Sequence, residues 1–272
     1  MKLKPEKIIV YAGLLVFAVW SLFPVLWVLT ASFRPNLGAL AGDNPFAFTP
    51  SLDNYRLVLL KSTFPACFKN TLIISISATL LSIILGVPAG YGLARFRFLG
   101  RRFLSRWVLA IRLVPPIAFV VPFFIMFKAL ELLDARITLI SIYTAFLLPF
   151  SIWLFNSFVR EIPIEAEEAA LVDGCTRFGA LFRVVLPRLW PAIGAVSLLN
   201  LAAAWNEFLF ALILTTSHAA TLPVSVASFM GERGVLWGQI TAAGVMTMSG
   251  PIIMTMLVNR YLLRGLTLGA YK

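Results

Sequence analysis

This sequence predicts an all-α membrane protein with six transmembrane helices, on three observations. Sixty per cent of the 272 residues are hydrophobic and 13% are charged, whereas about a quarter of a soluble domain is charged. Six stretches, 8–33, 71–94, 103–127, 137–158, 192–215 and 238–263, each supply the roughly 20 apolar residues that a helix needs to cross a ~30 Å hydrocarbon core. These runs are unbroken, where a membrane barrel would show short alternating strands.

Lysine and arginine cluster at the edges of the apolar runs, so the net charge of +11 reads as topology rather than as a nucleic-acid footprint. With the N-terminus inside, fifteen cations fall on the cytoplasmic side: Lys2, Lys4, Lys7, Arg95, Arg97, Arg101, Arg102, Arg106, Arg160, Arg177, Arg183, Arg188, Arg260, Arg264 and Lys272. Seven fall outside: Arg34, Arg56, Lys61, Lys69, Lys128, Arg136 and Arg233. Both termini are therefore expected in the cytoplasm. The first span is too long, and lacks the small-residue cleavage site, to be a removable signal, so it stays as an anchor. Cys67 and Cys175 fall on opposite faces and cannot bond to each other.

The loop at 34–69 is rich in Gly, Pro and Asn, and FTPSLDNY reads as a turn followed by a surface helix starting near Ser51. It divides the chain into residues 1–66, an N-terminal span with its extracytoplasmic loop, and residues 67–272, a five-helix core. No internal repeat marks inverted halves. Gly86 and Gly90 form a GxxxG face on the second span, which suits close approach of a neighbouring helix. Pro115, Pro116 and Pro122 remove donors from the third span and predict a bend or break.

Residues 161–191 are the longest stretch suited to water. Glu165, Glu167 and Glu168 follow Pro163 in the first turns of a helix, where carboxylates meet the positive end of its dipole. Asp173-Gly174 signals a turn, and Thr176 can cap a second helix. Leu171, Phe178, Leu181, Phe182 and Val185 recur at helical spacing as one apolar stripe, Arg177 and Arg183 face elsewhere, and Leu186-Pro187 ends the unit. An interfacial helix leads with basic residues, and this one leads with acids, so a protein partner is expected.

The stretch EAALVDGCTRFGALFRVVLP resembles the EAA loop of ABC-importer permeases, with Glu168, Ala169, Ala170, Gly174, Leu186 and Pro187 in register and Val184 in place of isoleucine. GYGLARFRFLGRR, AWNEFLFALILT and RYLLRGLTLGAYK are similar to the smaller permease of maltose-type carbohydrate importers. The resemblance covers essentially the whole chain. It implies a type I importer (MetI-like) bundle, paired with a second permease subunit, energised by a cytoplasmic ATPase dimer and fed by an extracytoplasmic solute-binding protein carrying a carbohydrate. Glu168, Ala169, Ala170, Asp173, Gly174, Arg177, Phe178, Leu186 and Pro187 would then couple to the ATPase as a helix docked in a groove. The chain has no GxxxxGK[ST] loop, so ATP and Mg would be bound by the partner, with no cofactor or metal on this subunit. Glycerol phosphate is the alternative substrate, and an ion-coupled carrier using Glu207 is the rival from another class.

Trp205, Asn206 and Glu207 lie near the middle of the fifth span, where a carboxylate costs roughly 2.5 kcal/mol or more. Either they line the translocation path with Arg112, the aromatic stacking on a sugar face, or Glu207 pairs with an arginine such as Arg112 and holds two helices in register. Arg112 can also snorkel towards the cytoplasm. His218 stands alone in an outer loop of small and apolar residues suited to the binding protein. No nucleophile–base pair or carboxylate–histidine relay is present, so no catalysis is expected.

Overall fold

A computed structural model describes residues 5–35, 48–231 and 234–269. Lys2, Lys4, Arg233 and Lys272, used above for topology, lie outside the described residues. Helix dominates, in the order α1 (Pro5–Ser32), α2 (Asp53–Lys61), α3 (Phe64–Arg95), α4 (Arg101–Ala110), α5 (Val120–Ala129) and α6 (Arg136–Glu161). There follow α7 (Glu165–Val172), α8 (Arg177–Ala180), α9 (Leu186–Trp205), α10 (Leu209–Leu214), α11 (Leu222–Ser228) and α12 (Trp237–Gly269). A ribbon of two-residue strands, β1 (Met230–Gly231) and β2 (Gly234–Val235), is a small addition to the all-helical expectation.

The chain divides into two compact units, residues 1–66 with 225–249 and residues 67–224 with 250–272. In the first, α1 is apolar around its whole circumference and exposed over most of its length, as befits a helix surrounded by lipid or by a partner. Asn54 on α2 ties down the end of α1 by donating to the carbonyls of Ser32 and Arg34 at 3.0 and 2.9 Å. Tyr55 and Ser32 share a further hydrogen bond at 2.6 Å.

In the second unit, α3, α6 and α9 cross as long helices. The third span is broken as the prolines predict: residues Arg101–Leu113 and Pro116–Ala129 meet at 91°. Two sequence expectations are corrected. The fifth span is not one helix over 192–215; α9 stops at Trp205 and α10 restarts at Leu209. Pro187 does not end the unit at 161–191 either, because helix runs through it from Arg177 to Trp205. Pro187 has no amide to give the carbonyl one turn before it, and the preceding residues Leu181–Val185 widen into a π turn, which accommodates the missing donor.

The core of this unit has two parts. One joins Ile74 and Ala78 of α3, Val120 and Phe127 of α5, Leu139, Ile142, Tyr143 and Leu147 of α6, and Phe210, Ala211 and Leu214 of α10. The other joins Val87 and Tyr91 of α3, Phe155 and Val159 of α6, Leu181 and Val185 of the π turn, and Leu189 and Val196 of α9. Between α3 and α6 the GxxxG face does what small residues do in membranes. A Cβ on Gly86 would stand 2.9 Å from Ser151 Cβ, and one on Gly90 would stand 2.7 Å from Phe155 Cβ and 2.8 Å from the Asn156 amide nitrogen.

Candidate functional site

The EAA loop is a helix, a tight turn and a second helix. α7 closes with the Cys175 amide donating to the Ala170 carbonyl at 2.9 Å and the Gly174 amide to the Leu171 carbonyl at 3.1 Å. This paired closure requires a left-handed residue, and Gly174 has φ +86° with open space around it. The glycine is demanded by backbone conformation, not by room. Thr176 caps α8 as expected, its hydroxyl accepting from the Gly179 amide at 3.1 Å.

The apolar stripe read from the sequence has two destinations. Leu181 and Val185 are buried in the bundle, whereas Phe178 and Phe182 remain 68% and 56% exposed and stack on each other with centroids 6.1 Å apart. Val172 beside the turn is also exposed. The loop therefore roots one apolar edge in its own chain and presents another outward.

The three acids of α7 also separate. Glu165 and Glu168 are exposed, but Glu167 is fully buried. Its Oε1 accepts from Arg95 Nε at 2.7 Å and its Oε2 from the Tyr91 hydroxyl at 3.1 Å. Arg95 Nη2 reaches the Ile162 carbonyl at 2.6 Å. This is the only ion pair among the described residues, and it ties the entry to the EAA loop to the last turn of α3.

A second site lies inside the bundle, a cavity of about 230 Å³ with Arg112, Tyr143, Phe146, Pro149, Glu207 and Phe210 in its wall. Glu207 sits at the break between α9 and α10. Its carboxylate accepts the Phe210 and Ala211 amides at 3.0 and 3.3 Å, which satisfies two of the free donors of α10, and the Tyr143 hydroxyl at 2.6 Å. The Arg112 guanidinium lies over the Phe150 ring, 4.6 Å from its centroid. Arg112 and Glu207 thus meet one cavity without forming an ion pair. Trp205 is buried, edge-on to Phe68 and against Gly250, and is not part of the cavity wall. Asn206 is exposed and bonds back to the Ala202 carbonyl at 2.8 Å.

At the opposite end of the bundle from the EAA loop, Asp134 adopts φ +56° between α5 and α6. Its carboxylate accepts the amides of Thr216, Ser217, His218 and Ala219 at 3.0–3.1 Å and the Thr216 hydroxyl at 2.7 Å. Burial pushes this carboxyl up, but those donors outweigh it and hold the group well below the usual carboxylate range. Asn70, held by Arg136, donates to the carbonyls of His218 and Ala220. The loop at 216–220 is therefore fastened to the α5–α6 connection and to α3, while the His218 side chain is exposed.

Sequence reasoning missed Glu167, Arg95, Tyr91, Tyr143, Asp134 and Asn200. Asn200 is buried and donates to Ser82 and Ser151 at 2.9 and 2.8 Å, linking α9 to α3 and α6. Periodicity does not single out Glu167: Ala170 and Leu171 follow it at three and four residues, but Leu171 and Val172 follow Glu168 at the same spacing.

Residues 82–267 match the family described as the binding-protein-dependent transport system inner membrane component. The chain is 35% identical over 271 residues to the trehalose/maltose transport system permease protein MalG of Thermococcus litoralis, covering 98% of this chain and 97% of that one. It is 36% identical over 257 residues to the trehalose transport system permease protein SugB of Mycobacterium tuberculosis, covering 93% of each. A crystal structure of a bacterial ABC transporter involved in the import of the acidic polysaccharide alginate contains a similar chain, at TM-score 0.80 and 24% identity over 96% of this chain and 99% of that one. The EAA loop, the bent third element and the match along two thirds of the sequence agree, and this chain belongs to the family of binding-protein-dependent transport system inner membrane components.

Proposed function

We propose that the chain is one permease of an ATP-driven ABC importer and forms, with a second permease, the translocation pathway for a carbohydrate delivered by a binding protein. The observation that carries this reading is the EAA loop itself, rooted inward through Glu167, Leu181 and Val185 and presenting Val172, Phe178 and Phe182 outward. Such a face suits a groove in a cytoplasmic ATPase dimer. With ATP and Mg bound by that partner, this subunit contributes motion and no chemistry. The termini then lie in the cytoplasm, and the fastened loop at 216–222 faces the binding protein.

The cavity supports the substrate class. At about 230 Å³ it falls below the ~300–1,000 Å³ of ordinary small-molecule pockets, which favours a path completed by another subunit. Aromatic walls with a few polar groups suit sugar faces and hydroxyls. Glycerol phosphate is not favoured, because the carboxylate of Glu207 would oppose an anion beside the lone cation Arg112. The named relatives serve trehalose and maltose, which points the same way.

The test is uptake into vesicles by the purified subunits, with the sugar chosen by a binding screen on the cognate binding protein. Uptake should require ATP and vanish without the ATPase. Uptake driven by a proton gradient alone would overturn the reading.

A further inference from the structure

We propose that Glu167 is a positioning residue that makes the EAA loop and α3 move as one body, so that displacement of the loop by its ATPase partner reaches the bundle through the Arg95–Glu167 pair. The inference rests on the importer reading above and names the part that transmits the force.

Three observations carry it. First, both oxygens of Glu167 are taken by the last two turns of α3, through Arg95 Nε at 2.7 Å and the Tyr91 hydroxyl at 3.1 Å, and Arg95 also grips the Ile162 carbonyl at 2.6 Å. The loop is clamped at residues 162 and 167 by a single guanidinium. Secondly, α3 has no room to slide on α6, which leads into Ile162: beside Gly90, the backbone of Asn156 is already within 2.8 Å of where a Cβ would be. α3, α6 and the start of α7 thus form a closed frame. Thirdly, the outward face of Val172, Phe178 and Phe182 lies beyond that frame in sequence, so load applied there arrives at the clamp.

Apolar packing by Leu181 and Val185 holds the loop on the bundle, but it is non-directional and permits slip. A charge-assisted contact gripping from two nitrogens has one geometry. The prediction is therefore about transmission rather than attachment: without the clamp the loop still docks on the ATPase but moves ahead of α3.

The experiment uses the importer assembled with its ATPase and binding protein, with Cys67 and Cys175 replaced by serine. Spin labels are placed at two exposed positions outside the outward apolar face, Glu165→Cys on α7 of the loop and Leu85→Cys on α3. Their separation is measured by pulsed electron resonance without nucleotide and after trapping with MgATP and vanadate. With Glu167 present, the distance should not change on trapping. With Glu167→Gln it should shift and broaden on trapping, while ATPase co-purification is retained. Arg95→Lys, which keeps the charge but loses the second contact, should give a smaller shift and serves as the test if Glu167→Gln does not assemble. A distance that changes on trapping with Glu167 intact, or that stays fixed in both variants, overturns the clamp. Failure of the unsubstituted chain to bind an ATPase at all overturns the importer reading, and the clamp with it.

Discussion

Glycine at residue 90 shows how one hydrogen in place of a methyl sets the distance between two helices. The neighbours of a Cβ at Gly90 include backbone, which cannot step aside, whereas at Gly86 the closest is the side chain of Ser151. Gly90→Ala is therefore expected to lower the thermal midpoint of the detergent-solubilised subunit more than Gly86→Ala. Overpacking of this kind costs about 1–3 kcal/mol, and equal midpoints would contradict the argument. Asp134 works by charge. Its folded pKa is depressed, so its stabilisation is present above the unfolded carboxylate value of about 3.9 and is lost as pH falls through that value towards the folded one. Asp134→Asn keeps a residue tolerant of φ +56° but removes the anion that gathers the amides. Amide exchange at residues 216–219 should accelerate in the variant at neutral pH. In the native chain it should accelerate, relative to intrinsic exchange, only below about pH 4.

Among the elements, the most instructive are those that break. The third long element bends by 91° where prolines remove donors, as the sequence announces. α9 and α10 break with no proline or glycine at 206–208, and the cause is a carboxylate. Glu207 accepts the second and third amides of α10, which favours a new helix start over the continuation of the old one. The EAA loop adds two predictions. Gly174→Asp places a side chain at φ +86°, a conformation that costs roughly 1–2 kcal/mol for most residues and less for Asp. The subunit should remain inserted, since nothing stands within 4 Å, yet lose coupling because α8 is re-aimed; full transport in the variant would refute this. Truncating the exposed aromatic pair in Phe178→Ala/Phe182→Ala should leave the subunit's own melting within a degree or two and reduce ATPase co-purification at least tenfold, an interface loss of about 1.4 kcal/mol or more.

For the whole molecule, polar groups in an apolar chain mark where helices must be held or must open. Asn200 holds α3, α6 and α9 together, whereas Arg112 and Glu207 meet at a cavity. Tyr143→Phe leaves the Glu207 cap on α10 in place and removes one hydroxyl from the cavity region. If the cavity belongs to the pathway, this variant should change the substrate concentration for half-maximal uptake with assembly unchanged, and a pure stability loss would exclude the cavity from the path. The all-helical membrane class, the proline break, the GxxxG contact and the EAA turn with its Thr176 cap were legible because each is local: apolar length, a missing donor, a missing Cβ and a short hydrogen bond leave their signature within a few residues. The division of one apolar stripe into a buried and an exposed edge, the choice of Glu167 over Glu165 and Glu168, and the gathering of residues 216–219 by Asp134 were decided only in three dimensions. Each depends on which group from 70 or 80 residues away arrives beside it, and periodicity fixes a helix face without naming the neighbour that the face will meet.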